Sequence, residues 1–130
     1  MSVNTIEELA DEVTRMLLSE DTSTSKQLRE QYEASDFEIE RSESGFFVHF
    51  DLPDDVEPIE AEKRIIIRGV YATMDGLDYG IDFNLFVDDG VISMLEGYTH
   101  QEEFPSDVES LHGVQLEESD IDTGGESTDG

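Results

Sequence analysis

Tyr79-Gly80-Ile81-Asp82-Phe83-Asn84-Leu85-Phe86-Val87 and Val91-Ile92-Ser93-Met94-Leu95-Glu96-Gly97-Tyr98 flank the string Asp88-Asp89-Gly90. Two runs rich in aromatic and β-branched residues around an Asp-Gly turn predict a β-hairpin. Its register depends on the loop. In a three-residue turn with Gly90 left-handed, Val87 faces Val91, Phe83 faces Leu95 and Glu96 faces Asp82. In a two-residue Asp89-Gly90 turn, Asp88 faces Val91 and Phe83 faces Glu96, which sets a carboxylate on the apolar face. The Asp-Asp-Gly string suits the longer loop, whose third position requires positive φ, and that register is preferred here.

Working outward, the period of two recurs upstream. Phe37 and Ile39 alternate with acids, Ser42 to Gly45 forms a turn, and Phe46, Val48, Phe50 and Leu52 share one face. Phe47, His49 and Asp51 occupy the other. Residues 65–71 supply a further strand. The N-terminal third has the helical period instead. Thr5 with Glu8 is a capping box, followed by Ile6, Leu9, Val13, Met16 and Leu17, and Thr24 with Gln27 repeats the pattern before Leu28 and Tyr32. Helices first and strands afterwards predict an α+β fold, with two N-terminal helices on a largely antiparallel five-stranded sheet. Residues 1–116 are expected to form this domain. Residues 117–130, acidic and glycine-rich with Ile121 their one large apolar side chain, are expected to be a disordered tail.

The chain carries 34 acidic residues against 7 basic ones, a net charge of −27 over 130 residues. Six of the acids lie in 117–130 with no cation, so −21 remains on the first 116 residues and the tail does not explain the charge. Such a surface repels itself unless salt screens it, which points to the cytoplasm of a cell that accumulates salt. Direct nucleic-acid binding is disfavoured, because phosphate affinity comes from Lys and Arg. There is no cysteine for a disulfide or thiolate site, no apolar run long enough to span a membrane, and no signal-peptide pattern at Met1 to Thr5.

The stretch from Leu28 to Phe104 resembles a group of small uncharacterised bacterial proteins. The residues that carry the likeness are Leu28-Arg29-Glu30-Gln31, Gly76-Leu77-Asp78-Tyr79-Gly80, Phe86-Val87-Asp88-Asp89-Gly90 and Ser93-Met94-Leu95-Glu96-Gly97-Tyr98. Many members have cysteines in the early hairpin, where this chain has Ser42-Glu43-Ser44, so no thiol role carries over. The resemblance supports the hairpins and implies no activity.

No nucleophile elbow, phosphate loop or dinucleotide fingerprint is present, so no catalytic residue, metal site or cofactor is expected. His49 and Asp51 share a strand face but lack a defined third ligand. Lys63, Arg64 and Arg68 are expected to pair with Glu57, Glu60 and Glu62. The sequence therefore reads as a non-enzymatic protein-interaction module, in its more specific form an inhibitor of the immunity or antitoxin kind. Its anchors would be Phe47, Phe86 and Tyr98, aromatics that one sheet face cannot all bury. The alternative is a small-ligand-binding protein or enzyme with a pocket on the sheet face at His49, Asp51, Asp82, Glu96 and Tyr98. A DNA-mimicking inhibitor is a further alternative.

Overall fold

Thr5 caps the first helix as its spacing requires, accepting the Glu8 N–H at 3.1 Å, and α1 runs Ile6–Leu17. The computed structural model describes residues 5–104 and 114–122. Ile6, Leu9, Ala10, Val13 and Leu17 form one buried stripe along α1. The second helix, α2 (Ser23–Ala34), begins earlier than the Thr24 pattern suggests. Thr22 is its cap and accepts the Ser25 N–H at 3.0 Å. The Arg29 guanidinium, which donates to the carbonyls of Leu18 and Glu20, holds the short turn between the helices.

Among the described residues six strands follow, where five were expected: β1 (Asp36–Ser42), β2 (Gly45–Asp51), β3 (Ile65–Thr73), β4 (Ile81–Asp88), β5 (Val91–Thr99) and β6 (Gln115–Asp122). They form one sheet in the order β1-β2-β5-β4-β3-β6, with every neighbouring pair antiparallel. The added strand β6 pairs with β3, setting Ala72 opposite Leu116 and Tyr71 opposite Glu117. It therefore takes in residues 117–122 of the stretch expected to be disordered. Residues 123–130 of that stretch lie outside the described residues. An edge strand has a single neighbour, and here Leu116, with Val114 just before the strand, packs against the core.

Both helices lie on one face, α1 over β3 and β4 and α2 over β5. Beneath them Phe46, Val48, Ile67, Leu85, Val87, Ile92 and Leu95 are buried, at alternate positions in β2 and β4 and three residues apart in β5. Gly97 allows two rings to settle there. A Cβ at that position would stand 2.8 Å from the Phe46 ring and 3.1 Å from the Phe83 ring.

The central hairpin corrects both sequence registers. Asp89 (φ 54°) and Gly90 (φ 80°) form a two-residue turn, with Asp88 opposite Val91 and Val87 opposite Ile92. The register then shifts by one, so that Phe86 faces Met94, Leu85 faces Leu95, Asn84 faces Glu96 and Phe83 faces Gly97. Ser93 is the extra residue of this β-bulge. The bulge removes the drawback of the short turn, because Leu95 now enters the core and Glu96 leaves it. Glu96 consequently faces neither Phe83 nor Asp82.

Gln31, only 2% exposed, locks the turn from α2. Its amide donates to the Gly90 carbonyl at 2.9 Å and to the Glu57 carbonyl at 3.1 Å, while its oxygen accepts the Ile92 N–H at 2.9 Å. The Ile59 N–H also donates to the Gly90 carbonyl.

Candidate functional site

Neither described helix covers the second face of the sheet, and alternation places on it the residues that the core rejects. The register arranges them in three cross-strand rows. The first runs Glu38, His49, Met94, Phe86, Ile66. The second runs Glu40, Phe47, Glu96, Asn84, and the third Gly45, Tyr98, Asp82, Tyr71, Glu117. Six of the seven residues singled out from the sequence (Phe47, His49, Asp82, Phe86, Glu96 and Tyr98) thus share one continuous surface. Asp51 lies at its margin, opposite Asp36 at the end of β2.

Neighbouring side chains hold many of the charges on this face. The His49 Nε2 is 2.9 Å from Glu40 Oε1 across the β1–β2 ladder, and the His100 Nε2 is 2.6 Å from Asp82 Oδ2. The His100 ring also meets Tyr98 edge-on, 5.4 Å between centroids. Asn84 donates to Glu96 at 3.3 Å. Tyr71 donates to Glu117 at 2.9 Å, which pushes the Tyr71 hydroxyl pKa upward.

At the turn end of the face, Arg64 does not join Glu57, Glu60 or Glu62 as the sequence suggests. Its guanidinium bonds Asp88 at 2.7 Å and lies 4.6 Å from the centre of the Phe86 ring. Stacking on an aromatic while engaging a carboxylate is what a planar guanidinium favours. Phe86 is left only 9% exposed, so of the three expected aromatic anchors it is the one already covered. Arg64, and after it the Ser93 hydroxyl 2.6 Å away, hold the Asp88 carboxyl below its ordinary range. The bulge thus has a second consequence, since it delivers Ser93 to Asp88.

Phe47 and Tyr98 are partly exposed, and Met94 lies between His49 and Phe86 in the neighbouring row. Among the described residues no three His, Cys, Asp or Glu side chains gather as a metal-ligand set. A cavity of about 320 Å³ at the β1–β2 margin includes His49 and Asp51, but not Asp82, Glu96 or Tyr98. The expected site residues therefore form a surface and do not line that cavity together. Arg64, Met94 and Tyr71 were missing from the sequence-based set. Their place depends on cross-strand pairing, which the order of residues along the chain does not display.

Among the described residues no helix is long and apolar enough to cross a membrane. Comparison with protein-family models, with curated proteins and with solved structures gives no match for this chain.

Proposed function

We propose that this protein is a non-enzymatic interaction module that engages a partner protein through the open face of its sheet. The observation that carries the proposal is the one-sided covering. Two helices bury one face, while the other presents Phe47, Met94 and Tyr98 among hydrogen-bonded polar groups. Aromatic and methionine side chains set in a rim of polar groups are the composition of a protein interface. The resemblance to small bacterial proteins adds support for the hairpins and no activity. Inhibition of the bound partner is the more specific form of the proposal.

The proposed setting is the cytoplasm of a salt-accumulating cell. Raising KCl from about 0.1 M to about 2 M shortens the Debye length several-fold. Screening of the −21 charge on residues 1–116 should then raise the thermal midpoint clearly. A flat midpoint would remove the halophilic explanation of the composition.

The interface is tested by capture from a lysate of the source organism in about 2 M KCl, where exposed ion pairs are screened. Wild-type protein should retain a partner, and the variant carrying Phe47→Ser and Tyr98→Ser should not. Equal capture by both would exclude this face. The ligand-binding alternative draws on the His100–Asp82 pair beside Tyr98. Stabilisation by a small molecule, lost in Asp82→Asn, together with no partner captured, would favour it.

A further inference from the structure

Among the described residues the sheet has two edges, β1 and β6, and they differ. β6 pairs with β3 through an interrupted register, whereas β1 pairs with β2 over seven consecutive residues without a shift. β1 contains no proline and no lysine, two common devices that keep other strands away from an edge. The two-residue turn Glu43-Ser44 makes Ser42 and Gly45 a hydrogen-bonded closing pair. By the alternation of antiparallel ladders, the N–H and C=O groups of Phe37 and Ile39 then point away from β2. Phe37 is 43% exposed, one of two large apolar side chains so exposed among the described residues. Beside it a cavity of about 320 Å³ lies between Asp36, Phe37, Glu38, His49, Phe50 and Asp51.

The charges on this edge specify what fits. On the open side of the sheet β1 carries Asp36, Glu38 and Glu40, with Asp51 adjacent. On the helix side it carries Phe37 and Ile39, with Arg41 following them at the turn end. A second copy of β1 in antiparallel register on the same faces would bring these acids against one another, and like charges opposite each other destabilise a sheet. A strand with Lys or Arg at alternate positions and apolar residues between them meets carboxylates on one face and Phe37 and Ile39 on the other.

We propose that β1 is a strand-addition site for an extended segment of a partner that alternates basic and apolar residues. Main-chain hydrogen bonds to Phe37 and Ile39 supply the attachment, and the side-chain alternation supplies the selectivity. The site does not depend on the open-face reading, because it uses the backbone of β1 and the Phe37 ring.

The probe is a fluorescent heptapeptide alternating lysine and valine, titrated with the full chain in about 1 M KCl, where the Debye length falls to about 3 Å. Two further peptides have alternate backbone nitrogens methylated, one along each edge, with every charge kept. The parent should bind saturably. Methylation of the edge that faces β1 should weaken binding about tenfold or more through lost hydrogen bonds, and methylation of the other edge should not. Phe37→Pro removes an outward N–H that the β1–β2 ladder does not use, a change sheet edges tolerate, and should produce the same loss at an unchanged melting midpoint. If Phe37→Pro unfolds, Phe37→Ala takes its place and should weaken the parent peptide while leaving the methylation contrast intact. No saturable binding, or equal binding of all three peptides, would overturn the proposal. So would a dimer of this chain that Phe37→Pro converts to monomer.

Discussion

On the helix side of the sheet Leu85 faces Leu95, and Phe83 lies against Gly97 and Phe46. On the other side, one residue along the same strands, Asn84 faces Glu96 and Asp82 faces Tyr98. The first set is held by exclusion from water, the second by hydrogen bonds that water could replace. The fold requires the residues of the first face, and those of the second are available for something else. Substitutions on the two faces should therefore separate into large and small effects on stability.

The largest effect belongs to the covered face. Phe83 is 1% exposed, and Phe83→Ala should cost about 3–5 kcal/mol by urea titration at high KCl, as loss of a buried ring does. A cost below about 1 kcal/mol would mean that the face is not packed as described. Next comes the lock between α2 and the hairpin. Gln31→Ala strips the buried Ile92 N–H of its partner and should cost about 1–3 kcal/mol. Because that lock also holds the bulge, the amides of Ile92 and Ser93 should lose hydrogen-exchange protection in the same variant. Unchanged exchange there would separate the lock from the bulge.

Asp88→Asn, at the margin of the open face, should cost about 0–1 kcal/mol near neutral pH, since both members of its pair with Arg64 are well exposed. The pH dependence has a definite sign. The folded Asp88 pKa lies below its ordinary 3.8, first through Arg64 and then through Ser93. The contribution is therefore present in full above about pH 4 and is lost as pH falls through the lowered folded value. The variant should lack that part of the acid limb. A difference from wild type that appeared instead at alkaline pH would contradict the assignment.

Much of the architecture was legible because periodicity states it directly. Thr5 with Glu8 fixed the start of α1, and the alternation around Phe46 and Val48 separated the two faces of β2. The hairpin register was not legible, since Ser93 has no feature that marks it as a bulge. Asp89 moreover adopts positive φ, which shortens the loop below what the Asp-Asp-Gly string suggests. β6 escaped notice because Glu117 and Glu118 belong to an exposed edge strand, whose composition matches that of a solvated tail. Of the candidate surface, alternation alone gave Phe47 and His49 a common side, and Glu96 and Tyr98 joined them only through the pairing of β2 with β5. Arg64 and Tyr71 joined it only through pairing between strands distant in sequence.

The proposal turns on Phe47 and Tyr98, both partly exposed, being available to a partner and not needed for the fold. The most direct test is the thermal midpoint, in about 2 M KCl, of the variant carrying Phe47→Ser and Tyr98→Ser, measured beside Phe83→Ala. The double variant should lose about 2 kcal/mol or less, the scale of strand propensity at two positions, and melt well above Phe83→Ala. A fall as deep as that of Phe83→Ala would show that this face is also core.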